Sequence, residues 1–298
     1  MTTGGADASS EGVEAGETGA LRQRILDLAA GPLDQTRDEA RAAFAELRRA
    51  LSEGRVRAAQ RDESSPTGWR VNTWVKQGIL LGFRCGATVD VSADHGRLPF
   101  FDKDTLPLRK FSLDANVRIV PGGSSIRDGA FVGPGVICIP PMYINIGAYV
   151  GDGTLVDSHA LIGSCAQIGR KVHGSAGAQS GGVIEPVGAL PVIIEDEALI
   201  GGNTGVYEGA VIKAGAVLAA GTILTGSTPV YDLPNSRILK PEDGQPLVIP
   251  EGAVVVPGAR AVTVGPGKDW GLSLATPVIV KYRDARTDTR TELERWIR

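Results

Sequence analysis

Asp157 and His159 stand two residues apart in the string GTLVDSHA. On a flat strand the two side chains share a side, and an imidazole beside a carboxylate can take part in proton transfer near neutral pH. Taken alone, an Asp directly after Val156 at a corner of the chain reads as a solvated turn residue, and His159 as a polar contact in a groove. Arg170 and Lys171 add two cations where the main repeat of the chain breaks off. Either can neutralise a carboxylate on a small substrate, and a solvated loop end accounts for them equally well. Metal chemistry has little to work with. There are 3 histidines, His95 lies outside the repeats, and His159 and His173 are 14 apart, which is no metal-binding spacing. Cys85, Cys138 and Cys165 are odd in number, widely spaced and without a CxxC pair, so they read as small buried hydrophobes.

The element that positions these groups shows in a period of six. Small aliphatic residues fall at Ile126, Val132, Cys138, Ile144, Val150, Val156, Ile162 and Ile168, and again at Ile194, Ile200, Val206, Ile212, Leu218 and Leu224. Helices repeat every 3.6 residues and strands every 2, so neither gives this spacing. A solenoid of parallel strands does, because each turn returns a similar side chain to the same place in a stacked core. Each unit supplies one short strand and one corner, three units close a triangular coil, and coils stack about 4.8 Å apart. Glycine after the aliphatic mark, as at Gly133, Gly151, Gly163, Gly169 and Gly201, is expected to ease the corner backbone. Between Ile168 and Ile194 the step is 26 residues, which is not a multiple of six. A loop is therefore expected over residues 174–193, with Glu185-Pro186 marking an abrupt turn. Long insertions in compact folds tend to serve binding, which makes it an expected active-site loop, with a plain surface loop as the alternative.

Around the solenoid the chain reads as a disordered tail over residues 1–19 and a small helical domain with a connector over 20–114. The repeats occupy 115–232, with a C-terminal β cap and a short last helix, Thr291 to Arg298, over 233–298. Thr36 with Glu39 forms a capping box, and Gly54 supplies a helix stop. With 40 glycines and only 5% aromatic residues, the core must be built from Val, Ile, Leu and Ala around tight corners. A net charge of −3 gives no footprint for nucleic acid or an anionic membrane surface. The acidic, glycine-rich start is unlike a leader peptide, and no run of about 18 apolar residues occurs, so a cytosolic location is expected.

The period by itself is similar to that of the left-handed parallel β-helix acyltransferases, which mostly work as trimers. Longer strings are more specific. NIGAYVGDGTLVD from Asn145, GSCAQIGRKVH from Gly163, GGVIEP from Gly181 and PVIIED from Pro191 resemble, in order and spacing, the tetrahydrodipicolinate N-succinyltransferases. WVKQGILLGFR from Trp74, FFDK from Phe100 and VIVK from Val278 carry the resemblance from about Trp69 to the C-terminus. It implies a mainly β fold, a left-handed parallel β-helix of hexapeptide repeats with a helical N-terminal domain and a β cap. It also implies transfer of succinyl from succinyl-CoA, the co-substrate, to the amine of 2-amino-6-oxopimelate in diaminopimelate and lysine biosynthesis. Sites between the subunits of a homotrimer, and no metal, follow from the same resemblance.

In that family the position of Asp157 holds the key acid, implying that it orients the amine and accepts its proton. The position of Arg118 holds an arginine for a substrate carboxylate, a match for two parallel charge-assisted bonds. Lys281 and Lys268 become candidates for CoA phosphates, although a surface lysine on a strand is the commoner explanation. Two departures stand out. Where the family has a second acid, in a string like SEVVEG, this chain reads TGVYEG, with Gly205 at that place and Glu208 and Tyr207 as the nearest groups. His159 stands where the family commonly has an aromatic residue. The alternatives are an N-acetyltransferase for the same substrate or another hexapeptide acyl-CoA transferase, and a non-catalytic β-helix scaffold, for which Gly205 alone speaks. A carbonic anhydrase on this fold needs three histidines between subunits, one more than the repeats contain.

Overall fold

A computed structural model of the 298-residue chain describes residues 8–93, 97–241 and 244–283. Three helices, α1 (Ala8–Ala30), α2 (Arg37–Ser52) and α3 (Thr73–Cys85), form the N-terminal part. Leu21, Ile25 and Leu28 on α1, Phe44, Leu47 and Leu51 on α2, and Val75 and Ile79 on α3 recur at helical spacing and bury one stripe of each helix. Gly82 lies within α3 where α2 crosses closely: a Cβ there would lie 2.4 Å from the Phe44 ring. Thr36 caps α2 through its backbone only; its hydroxyl donates to Pro32 O, so no capping box forms. Gly54 ends α2 in the left-handed region as expected, with φ of 75°. The expected tail over 1–19 falls partly outside the described residues, and from Ala8 onward the chain is helical.

From Arg118 the chain winds into a three-sided parallel β-helix. One wall stacks Phe131–Val132, Tyr149–Val150, Gln167–Ile168, Ile193–Ile194, Val211–Ile212 and Val248–Ile249. A second stacks Arg118–Ile119, Ile137–Cys138, Leu155–Val156, His173–Gly174, Leu199–Ile200 and Val217–Leu218. The third stacks Ser125–Ile126, Tyr143–Ile144, Leu161–Ile162, Gln179–Ser180, Gly205–Val206 and Ile223–Leu224. The aliphatic marks point inward, joined by a second buried row two residues earlier, such as Ala130, Val136, Met142 and Ala148.

Three features differ from the sequence reading. First, the coil does not stop at Ile168: Gly174 pairs with Val156 and Ser180 with Ile162. Both marks are held by residues too small or too polar to register as core, and a cavity of about 10 Å³ remains beside them. The excursion is correspondingly short, residues 181–192. Second, the repeats do not end at 232. After an excursion containing Val230–Asp232 and Arg237–Leu239, Val248 pairs with Val211 and Val254 with Val217, which adds two more sides of the coil. Ile249 and Val255, six apart, are marks of the same period. The hairpin Ala253–Ala261 with Ser273–Tyr282, followed by Val230–Asp232 and Arg237–Leu239, extends the second wall to ten strands. The expected helix at Thr291 to Arg298 lies outside the described residues.

Third, glycine after a mark serves packing rather than backbone freedom. A Cβ on Gly163, whose φ is not left-handed, would lie 2.2 Å from the Gly182 nitrogen of the next coil. Left-handed backbone falls instead three residues after the mark, at positions including His159, Cys165, Lys171 and Asn203. Among the described residues no helix is long and apolar enough to cross a membrane.

Candidate active site

The ten-stranded wall carries most of the candidate residues. Arg118 is exposed on its end rung, paired to Ile137, which pairs in turn with Leu155. Asp157 follows Leu155–Val156 at the corner where this wall meets the third. Two rungs separate it from Arg118, about 10 Å at ordinary strand spacing. Its amide donates to Gly174 O (2.9 Å), and its Oδ1 accepts from Ser158 N (2.7 Å). The side chain is half-buried, and among the described residues the carboxylate has no other hydrogen bond and no ion pair. Asp104 and Asp128, by contrast, are spent on structure, paired with Arg41 and Arg48. Asp157 keeps an acceptor oxygen available at the surface of a rigid coil.

His159 is not on a strand with Asp157. It lies in the corner turn with φ of 60°, its amide donating to Pro141 O (2.6 Å) and its carbonyl accepting from Gln179 Nε2 (3.0 Å). The expected strand alternation therefore does not hold, because the coil turns immediately after Val156. His159 remains exposed next to the acid along the chain.

Arg170 and Lys171 occupy the corner at the opposite edge of the same wall. Asp196 Oδ1 accepts from Arg170 N (2.8 Å), and Lys171 Nζ stands 4.0 Å from Glu197, an exposed pair worth little. Within one subunit the structure does not bring them to Asp157. Glu208 also turns elsewhere: its Oε2 accepts from Gly226 N (2.7 Å) at the corner between the third and first walls. The space beside Gly205 is taken by Tyr207. A Cβ on Gly205 would lie 2.3 Å from Tyr207 Cε2 and 2.9 Å from its hydroxyl, so the phenol ring covers the ground where a side chain at 205 would start.

At the far end of the wall Lys281 lies opposite Val254, while Lys268 is exposed on the five-residue helix Gly265–Asp269 that joins the two long strands. From Leu155 through His173, Leu199, Val217 and Val254 to Lys281 is five strand steps. At ordinary spacing that is about 24 Å. Ile137, Leu155, Leu199 and Val217 are half-buried along this track and give it an apolar floor.

The helical part docks on the first wall, through groups that sequence reasoning missed. Glu195, from PVIIED, is buried and accepts from Arg61, Trp69 Nε1 and Lys213 at 2.7, 2.9 and 3.1 Å. Burial pushes its carboxyl up, but the bonds from Trp69 and Lys213 and the charges of Lys213 and Arg61 outweigh it and hold it below the usual value. Lys76 on α3, fully buried, donates to Ala189 O (2.6 Å) and so ties down the 181–192 excursion. Ile184 and Leu190 pack the same segment against the helices and the coil wall. The expected active-site loop thus sits at a different corner from Asp157 within the subunit. Its contact to Lys76 spans 113 residues, and no local pattern announces that.

All three cysteines are buried, and burial alone pushes the Cys138 thiol up to about 12, which suits packing and not reactivity. Among the described residues no group of three or more His, Cys, Asp or Glu is placed to hold a metal ion.

Comparison with known proteins finds relatives over most of the chain. A family model described as the N-terminal part of tetrahydrodipicolinate N-succinyltransferase matches residues 27–85, and one for the hexapeptide repeat of succinyl-transferase matches 191–226. A 2,3,4,5-tetrahydropyridine-2,6-dicarboxylate N-succinyltransferase of Rhodopseudomonas palustris (strain BisA53) is 39% identical over 269 residues, covering 88% of this chain and 92% of the relative. The protein of that name from Bradyrhizobium diazoefficiens is 38% identical over 282 residues, 92% of this chain and 95% of the relative. That of Idiomarina loihiensis is 36% identical over 289 residues, 93% and 98%.

Proposed function

Because this chain belongs to the tetrahydrodipicolinate N-succinyltransferase family, we propose that it moves the succinyl group of succinyl-CoA to the amine of 2-amino-6-oxopimelate. The observation that carries the reading is the single ten-stranded wall, with Arg118 near one end, Asp157 at its edge and Lys281 near the other. A CoA arm laid along the apolar track has its thioester beside Asp157 when its phosphates reach the hairpin that bears Lys281 and Lys268. Arg118, two rungs from Asp157, is then spaced to hold a carboxylate of a diacid whose amine faces Asp157. Grooves of this kind close against a neighbouring subunit, and a homotrimer supplies three of them.

In the reaction Asp157 takes a proton from the amine as its nitrogen attacks the thioester carbon. The new C–N bond forms, the C–S bond breaks, and the proton ends on the departing CoA thiol. Desolvation by bound substrate and CoA makes the carboxylate an adequate base. Among the described residues, none of those that define the track from Leu155 to Lys281 is acidic, in keeping with an anionic co-substrate. Succinyl-CoA is a metabolite of the bacterial cytosol, so that is the compartment the reading implies. That the relatives are N-succinyltransferases favours succinyl over acetyl transfer.

The test is turnover with each acyl donor, with 2-aminopimelate as acceptor and thiol release as the signal. Succinyl-CoA is expected to give the higher kcat/KM. A higher value with acetyl-CoA sinks the succinyl assignment, and no turnover with either returns the chain to the scaffold reading.

A further inference from the structure

Away from the wall just described, α1, the segment after α2, the hairpin Ala59–Arg61/Trp69–Val71 and the start of α3 enclose a cavity of about 360 Å³. Four arginines line it, Arg22, Arg55, Arg57 and Arg70, together with the amides of Gln60 and Asn72. No carboxylate lines it. Arg55 and Arg70 each meet one acid outside the lining, Glu53 at 2.5 Å and Asp62 at 3.1 Å, while Arg22 and Arg57 have no acidic partner among the described residues. The cavity therefore holds an excess of two positive charges.

Arg57 is the telling member. Its guanidinium carbon lies 3.6 Å from the centre of the Tyr149 ring and 5.6 Å from that of Trp69, and its Nε donates to Gln167 Oε1 (2.9 Å). Ring and amide fix the plane of the guanidinium and leave its terminal nitrogens uncommitted. Desolvation pulls its pKa down, a cost that Tyr149 and Asp196 offset only in part. Asn72 Nδ2 donates to both Arg57 O and Gln60 Oε1, so the polar rim is held in place as well. A cation kept this way, beside three more, is arranged for an oxyanion that brings its own charge.

We propose that this cavity binds a small molecule through a compact, doubly charged oxyanion, either a phosphate monoester or a dicarboxylate. Within one subunit it is separate from the proposed acyl-transfer site: it lies over the first wall, whereas Asp157 stands at the corner of the other two. Arg57 rests on Tyr149 of the first wall, so occupancy stiffens the docking of the helices onto that wall.

The test is titration calorimetry of the full-length protein with inorganic phosphate and, separately, malonate, at constant ionic strength set by chloride. Saturable binding of at least one probe is expected; which probe binds identifies the anion class. Arg22→Ala and Arg55→Ala, at exposed positions whose loss leaves the helical core intact, are each expected to weaken that binding at least about tenfold. Thermal unfolding of each variant without probe, matching wild type, keeps the result from reflecting a folding defect. Absence of saturable binding with both probes, or binding unchanged in both variants, overturns the proposal.

Discussion

Asp157→Asn is expected to abolish measurable succinyl transfer, lowering kcat by about 10²–10⁴-fold, the usual contribution of a positioned general base. The substituted amide keeps an oxygen for Ser158 N, so the corner turn survives. The carboxylate makes no ion pair among the described residues, and its loss is therefore expected to move stability by no more than about 0.5 kcal/mol. A fall in kcat with KM for succinyl-CoA little changed is the pattern of a group acting on the amine rather than on the CoA arm. Unchanged turnover, or a loss of activity that follows unfolding, removes Asp157 from its role.

Glu195→Ala is expected to have the largest effect on stability. It strips one acceptor from three donors, Arg61, Trp69 and Lys213, two of which belong to the segment that docks the helices on the coil. Breaking a buried ion pair from one side typically costs about 3–5 kcal/mol. Arg61 is half-exposed and screened by water, which reduces the expected loss to about 2–4 kcal/mol. The carboxyl is held below its usual value in the folded state. Its contribution is thus fully present above the unfolded pKa of about 4.3 and drains away as pH falls through the lower folded value. Urea denaturation at pH 7 and below pH 4 checks both points. Wild type and variant should differ most at pH 7 and converge in acid, and an equal gap at both pH values contradicts the assignment.

How far the fold was legible follows from which residues occupied its repeating positions. Val150, Val156 and Ile162 advertise the coil because an inward aliphatic residue is required at each turn. Gly174 and Ser180 fill the same positions silently, which made a short excursion look like a long one. Ile249 and Val255 kept the period, but a 24-residue gap after Leu224 hid them. At the site, Asp157 could be named through the strings around it, while its freedom from partners is a property of three dimensions. The corner at His159 departs from strand alternation because flat units of two residues leave no room for it past the mark. Tyr207 answers what stands beside Gly205, a contact between residues two apart that only the folded corner creates. The arginine cavity gathers residues from Thr18 to Trp74 over four elements, with no spacing to betray it.

The account rests on one wall holding both ends of the reaction. A crystal structure with CoA and 2-aminopimelate bound tests that most directly. The expected result has the CoA sulfur at the corner of Asp157, the phosphates at the hairpin that bears Lys281 and Lys268, and a carboxylate of the analogue at Arg118. CoA lying against another wall, with its sulfur away from Asp157, contradicts it.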